Sequence, residues 1–185
     1  MEMNVSEAKT ALRKSILQTR TKLDPTETSN ALATHLVGLC QLLRAKVVGI
    51  YLSFGSEPDT KAFIALAASA GITLAAPRIT ATNQMEFARF DGSSRQGLHG
   101  FAEPTGEVVA LDSLDLVIAP ALAVTKSGIR LGRGAGYYDR YLEKSKAKVA
   151  AVVYANEILD EVPSQAHDQS VDYIVTQDGI LQCAS

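Results

Sequence analysis

The residues best equipped for chemistry lie in one run, Arg130-Leu131-Gly132-Arg133-Gly134-Ala135-Gly136-Tyr137-Tyr138-Asp139-Arg140. Glycines at 132, 134 and 136 permit backbone conformations and close approaches that side chains forbid, leaving amide hydrogens free to face a phosphate. A helix beginning at Gly136 would add its N-terminal dipole to such a site. Arg130 and Arg133 supply forked donors for phosphate oxygens, and Asp139 supplies a carboxylate for magnesium, which prefers carboxylate and phosphate oxygens together. The run is not a Walker A loop, because no G-K-[ST] follows, and its glycine spacing is not that of a dinucleotide fingerprint. Glycine spacing alone would equally describe a flexible turn leading into a helix. The flanking arginines and Asp139 favour the phosphate.

Three further groups carry polar side chains in suggestive patterns. Lys9, Arg13 and Lys14 share a helix face and could meet one polyanion together, although basic faces on surface helices are commonly just solvated. Ser53-Phe54-Gly55-Ser56-Glu57-Pro58-Asp59-Thr60 stands at the carboxyl end of the first strand, where open α/β sheets bind ligands. Ser56 or Asp59 suits a cap for the following helix and Pro58 a first turn, which leaves Glu57 without a structural role. His167, Asp168 and Asp172 offer donors for a metal or a proton relay, or simply a solvated loop, while His35 and His99 have no partner motif and read as structural or surface residues.

The elements that must position these groups follow from hydrophobic periodicity. Residues 6–20 put Ala8, Leu12, Ile16 and Thr19 on one side, predicting an amphipathic helix capped by Ser6 with its basic residues elsewhere. Asp24-Pro25 breaks it, and Leu32, Leu36, Leu39 and Leu43 mark a second helix within residues 26–43. Strands are predicted over 47–53, 72–76, 114–119, 149–154 and 171–176, weaker ones over 85–90 and 108–109, and helices over 60–70, ended by Gly71, and 136–144. About five core strands alternating with helices predict a three-layer α/β/α sandwich around a mainly parallel sheet.

The chain's 185 residues suit one domain, residues 1–185, with no repeat or low-complexity linker. Lys and Arg total 18 against 20 Asp and Glu, a net charge of -2 that cannot supply the basic field of a nucleic-acid module. Only 11 aromatic residues, none interleaved with a basic stretch, point the same way. Cys40 and Cys183 form no disulfide framework, the N-terminus lacks the apolar segment of a signal peptide, and no stretch approaches a membrane span. A cytoplasmic protein, acting on small molecules as a monomer, is expected.

Six separated motifs together resemble the 5-formyltetrahydrofolate cyclo-ligase family, also called methenyltetrahydrofolate synthetase, over nearly the whole chain. They are K-x-x-L-R-K at Lys9 to Lys14, S-x-x-S-E-P-D-T at Ser53 to Thr60, P-R-I at Pro77 to Ile79, G-L-H-G-F-x-E-P at Gly97 to Pro104, the glycine loop R-L-G-R-G-A-G-Y-Y-D-R-Y-L, and a closing H-D-x-x-V-D. The chain departs from the family pattern at Pro120-Ala121-Leu122-Ala123-Val124-Thr125, where P-G-L-A-F-D is usual, at Ala135 for a glycine, and at Glu157 for a glutamine.

The resemblance implies a fold like that of sugar-phosphate isomerases and coenzyme A transferases, and ATP- and magnesium-dependent closure of 5-formyltetrahydrofolate to 5,10-methenyltetrahydrofolate with release of ADP and phosphate. It further implies that Lys9 and Arg13 join Arg130, Leu131, Gly132, Arg133, Gly134, Ala135, Gly136, Tyr137 and Tyr138 in holding ATP. Leu52, Glu57 and Tyr137 would contact the folate, Asp139 and Asp168 would bind magnesium, and Arg130, Arg133 and Glu57 would carry catalysis. The alternatives are a relative on the same scaffold acting on another pterin or amide, and a folate- or nucleotide-binding protein without turnover. Substrate profiling distinguishes the first, and binding without ADP release the second.

Overall fold

A computed structural model describes residues 4–97 and 100–184, so His99 lies outside the described residues. In chain order the elements are α1 (Val5–Arg20), α2 (Ser29–Leu43), β1 (Val47–Ile50), α3 (Lys61–Ala67), β2 (Thr73–Ile79), β3 (Met85–Arg89), β4 (Ser94–Gln96), β5 (Ala102–Pro104), β6 (Leu116–Pro120), β7 (Ala123–Thr125), β8 (Arg130–Leu131), α4 (Tyr137–Leu142), β9 (Lys148–Val152), β10 (Ile158–Leu159), β11 (Tyr173–Thr176) and β12 (Gly179–Gln182). The central sheet has the order β12-β11-β9-β6-β1-β2-β3 among the described residues. Its five inner strands run parallel, and β3 and β12 close the two edges antiparallel. This is the expected mainly parallel sheet, extended by two edge strands.

From β1 the chain crosses through α3 to β2 on one side of the sheet; from β6 it crosses through α4 to β9 on the other. Crossovers of one hand that run in opposite directions place their helices on opposite faces. Accordingly, Phe63 and Ala67 of α3 pack with α2 into a core containing Val48 and Ile50, whereas Leu142 of α4 packs into one containing Val117 and Ala119. The direction therefore switches between β1 and β6, and a crevice opens beyond their carboxyl ends. A glycine in the middle of β1 matters for the second layer: a Cβ on Gly49 would come within 2.8 Å of the Phe87 ring. That ring crosses β1 and meets the tyrosines of α4, at 5.0 Å to Tyr141 and 6.4 Å to Tyr138.

Several local expectations are corrected. Helix α1 is capped by Asn4, not Ser6, through a capping box with Glu7. Its buried face is Lys9, Ile16 and Arg20, while Thr19 is exposed, so two charged residues face inward where periodicity placed them outward. A 3-10 turn, Pro25–Thr28, separates α1 from α2. β1 ends at Ile50 rather than Ser53, β2 runs on to Ile79, and the 108–109 segment makes only a bridge from Val108 to Ala88. Helix α3 starts at Lys61, leaving Pro58 outside its first turn, but the Asp59 carboxylate does accept the Lys61 amide at 3.1 Å. Two short sheets, β10-β7-β8 and β4-β5, were not anticipated. His35 is structural as expected, its Nδ1 lying 3.0 Å from the Thr176 carbonyl oxygen.

Candidate active site

Two cavities flank the glycine loop. A predominantly apolar one of about 660 Å³ opens between the β1–α3 loop, β2 and the β4–β5 hairpin, with Leu52, Phe54, Glu57, Arg133, Tyr137 and Tyr138 among its lining residues. A predominantly polar one of about 360 Å³ is lined by Lys9, Arg13, Leu131, Gln165, His167 and Asp168. Arg130, Gly132, Gly134, Ala135, Gly136 and Asp139 line both and form the wall between them.

The wall is shaped by backbone requirements. Gly134 has φ +108° and Gly136 φ +68°, conformations closed to most side chains. A Cβ on Gly134 would also press within 3.3 Å of the Arg13 guanidinium carbon. Ala135 needs no such freedom, because Arg44 and Asn83 are the only non-glycine residues with positive φ among the described residues, so alanine fits where the family has glycine. Helix α4 is shorter than expected, ending at Leu142, and so short a helix adds little dipole.

Arg130 is 5% exposed. Its Nη2 donates to Asp139 Oδ1 at 2.7 Å and its Nη1 to the Pro120 carbonyl at 3.3 Å, while its Nε has no partner among the described residues. Asp139 also accepts the Gln169 amide at 3.3 Å. Across the polar cavity, Lys9 donates to Asp168 at 2.5 Å, and Arg13 Nε donates to the Gly132 carbonyl at 2.9 Å. Burial works to raise the Asp168 pKa, but hydrogen bonds from Lys9 and the Gln165 amide outweigh it and hold the carboxyl below its ordinary value. It stays ionised and able to face a cation.

On the apolar side, Arg133 Nε donates to Glu57 Oε1 at 2.8 Å, and the Phe54 amide donates to Glu57 Oε2 at 3.2 Å. Burial raises the Glu57 pKa, opposed chiefly by the charge of Arg133. The Arg133 guanidinium lies 4.4 Å from the centre of the Phe54 ring, which itself stands 4.3 Å from that of Phe101 on the hairpin. Burial, then the negative field of Glu57, pushes the Tyr138 hydroxyl pKa up, so it remains a hydrogen-bond donor.

Every residue that the family resemblance assigns to the site borders one cavity or the other. Asp172 and Lys14 do not: Asp172 binds Lys148 at 2.7 Å and the Val149 amide at 2.9 Å, joining two strands, and Lys14 is exposed. Sequence reasoning gave no role to Phe101 and Glu103, although both stand in the quoted G-L-H-G-F-x-E-P motif, nor to Arg140 at the end of the glycine run. Of the departures from the family pattern, Ala135 lies in the wall lining both cavities, whereas those at 121, 124, 125 and 157 line neither. Val124 is core, Thr125 ties the β7–β8 turn by accepting the Ile129 amide at 3.1 Å, and Glu157 pairs with Arg20 at 2.7 Å.

A glycine loop at a topological switch point, with an apolar cavity on one side and a polar, charged one on the other, defines an α/β protein with a two-sided ligand crevice. The chain belongs to the 5-formyltetrahydrofolate cyclo-ligase family, whose model matches residues 5–177. It is 32% identical to a 5-formyltetrahydrofolate cyclo-ligase of Mycolicibacterium smegmatis, covering 91% of this chain and 93% of that one. A mouse relative of the same name is 28% identical over 95% of this chain and 97% of its own length. The solved 5,10-methenyltetrahydrofolate synthetase of Aquifex aeolicus superposes with a TM-score of 0.80 at 28% identity, covering 96% of this chain and 93% of that one. That of Mycoplasma pneumoniae, at 22% identity and a TM-score of 0.74 over 91% of this chain and 98% of that one, shares the fold.

Proposed function

We propose that the protein closes 5-formyltetrahydrofolate into 5,10-methenyltetrahydrofolate at the expense of ATP, and that the glycine loop is where the two substrates meet. The observation that carries this is the shared wall: a phosphate chain in the polar cavity and a pterin in the apolar one would touch the same residues from opposite sides. The formyl group on N5 is an amide and a poor electrophile. Its oxygen attacks the γ-phosphorus, ADP leaves, N10 attacks the activated carbon with loss of its proton, and phosphate departs as the methenyl bridge forms. Lys9, Arg13 and the loop amides hold the phosphates, Arg130 and Arg133 neutralise charge beside the transferring group, and Leu52, Glu57 and Tyr137 seat the folate. No enzyme nucleophile is needed.

Asp139 and Asp168 both line the polar cavity, and no cluster of three His, Cys, Asp or Glu side chains able to hold a metal exists among the described residues. That donor set fits magnesium, which takes one or two carboxylates and completes its shell with phosphate oxygens and water. When bound, the ion would supply positive charge against the phosphates. The polar cavity draws on both Lys9 and Asp168, so residues 1–185 are read as one catalytic domain acting as a monomer. Free Cys40 and Cys183 suit a reducing cytoplasm, and no helix among the described residues is long and apolar enough to cross a membrane.

Arg133 tests this assignment. Arg133→Ala frees buried Glu57 from its cation and removes a donor from the apolar cavity beside the glycine loop; kcat/KM should fall about 100-fold, with the folate Michaelis constant raised most. Wild-type steady-state kinetics for that variant would contradict the role.

A further inference from the structure

Three carboxylates line the apolar cavity, and their surroundings differ. Glu57 is held by Arg133 and a backbone amide, and Asp139 by Arg130 and another. Glu103, 6% exposed, has no cation against it among the described residues. Its only partner among the described residues is the Ile79 amide, which donates to Oε1 at 3.0 Å. The adjacent Arg78 is engaged with Glu86 at 2.7 Å and with the Gly106 carbonyl at 3.1 Å. The fold makes room for this carboxylate, since a Cβ on Gly97 would overlap it.

A carboxylate accepts about four hydrogen bonds, and one buried with a single donor carries an uncompensated desolvation cost. The cavity around it is walled by groups such as Leu52, Pro77, Ile79 and Met85. Its partner must therefore enter with the ligand, and the match for a carboxylate with Oε2 free and a lone pair left on Oε1 is a pair of parallel N–H donors.

We infer that Glu103 recognises the 2-amino-4-oxopyrimidine edge of the reduced pterin, taking the 2-amino group on Oε2 and N3–H on Oε1. The inference rests on the folate reading above and names the residue that sets the pterin's orientation in the cavity. Glu103 touches no reacting atom; it is a specificity residue.

The test compares 5-formyltetrahydrofolate with its 2-desamino analogue, which lacks one of the paired donors. Wild-type protein should show a KM at least about 10-fold higher for the analogue, the loss expected for one charge-assisted hydrogen bond. Glu103→Gln keeps an acceptor for the Ile79 amide. It should raise the folate KM about 10- to 100-fold, leave the ATP KM unchanged and treat the two folates alike. An unchanged folate KM in Glu103→Gln, or equal handling of both folates by the wild type, would overturn the inference. Equilibrium binding followed by tyrosine fluorescence separates it from the activity itself. Binding of 5-formyltetrahydrofolate weakened by Glu103→Gln supports the inference even if no product forms, which would then refute the cyclo-ligase reading alone. Binding indifferent to Glu103→Gln overturns it.

Discussion

Arg130→Ala should lower kcat/KM by about 1,000-fold or more, the largest loss expected of any single substitution in the site. Arg130 is almost wholly buried in the wall between the cavities, with Nη2 on Asp139, Nη1 on the Pro120 carbonyl and Nε without a partner among the described residues. It fixes the position of Asp139 and is the cation common to both cavities. Removing one preorganised donor from a developing oxyanion costs about 100- to 1,000-fold. Here the same change also leaves Asp139 with one backbone donor at 3.3 Å, so the carboxylate loses its orientation as well. Arg130→Lys keeps a charge but not the fork, and should recover only part of the loss. The measurement is steady-state kinetics at varied ATP and folate, with Arg130→Ala judged against Arg133→Ala. A value near wild type would remove Arg130 from the mechanism.

The largest effect on stability is expected at Arg20. Its side chain is 1% exposed and makes a bidentate pair with Glu157, Nε to Oε1 and Nη2 to Oε2, both at 2.7 Å. Nη2 also donates to the Ala121 carbonyl at 2.7 Å, and the guanidinium carbon lies 5.3 Å from the centre of the Tyr154 ring. Glu157 in turn accepts the Tyr154 amide at 2.9 Å. The pair thus ties the C-terminal end of α1 to the segments following β6 and β9. Arg20→Met strands Glu157 as a buried, unpaired charge, which costs about 3 to 5 kcal/mol. For a chain of this size that is a fall in melting midpoint of roughly 6 to 20 °C. Nη1 of Arg20 already lacks a partner among the described residues, so an apolar replacement of both residues, Arg20→Met with Glu157→Leu, should recover most of the loss. Calorimetry on the two variants decides the point, and a double variant no more stable than the single one would show that the pair itself is needed.

Arg20 also shows where the sequence stopped being readable. Its spacing along α1 reads as a solvated basic face, and nothing local says that Glu157, 137 positions away, will meet it in the interior. Lys9 is hidden for the same reason, its partner Asp168 being supplied by the far end of the chain. The strands and helices of the core were legible because burial on both faces makes β1, β6, β9 and β11 near-continuous apolar runs. The two-residue strands β8 and β10 were not, since a pairing so short leaves no periodicity. In the site, Arg130 to Asp139 announced themselves through glycine spacing and charge. Glu103 did not, because one carboxylate in a hairpin looks solvated until Gly97 and the Ile79 amide are seen to enclose it.

The central claim is that the glycine loop brings ATP and 5-formyltetrahydrofolate together for reaction. Purified protein mixed with both substrates and magnesium, followed by near-ultraviolet absorbance of methenyltetrahydrofolate alongside ADP release, tests it most directly. Magnesium-dependent appearance of the two products in equal amounts, lost in Arg130→Ala, is the expected result. Tight folate binding with no ADP, or ADP released only with a different substrate, would contradict it.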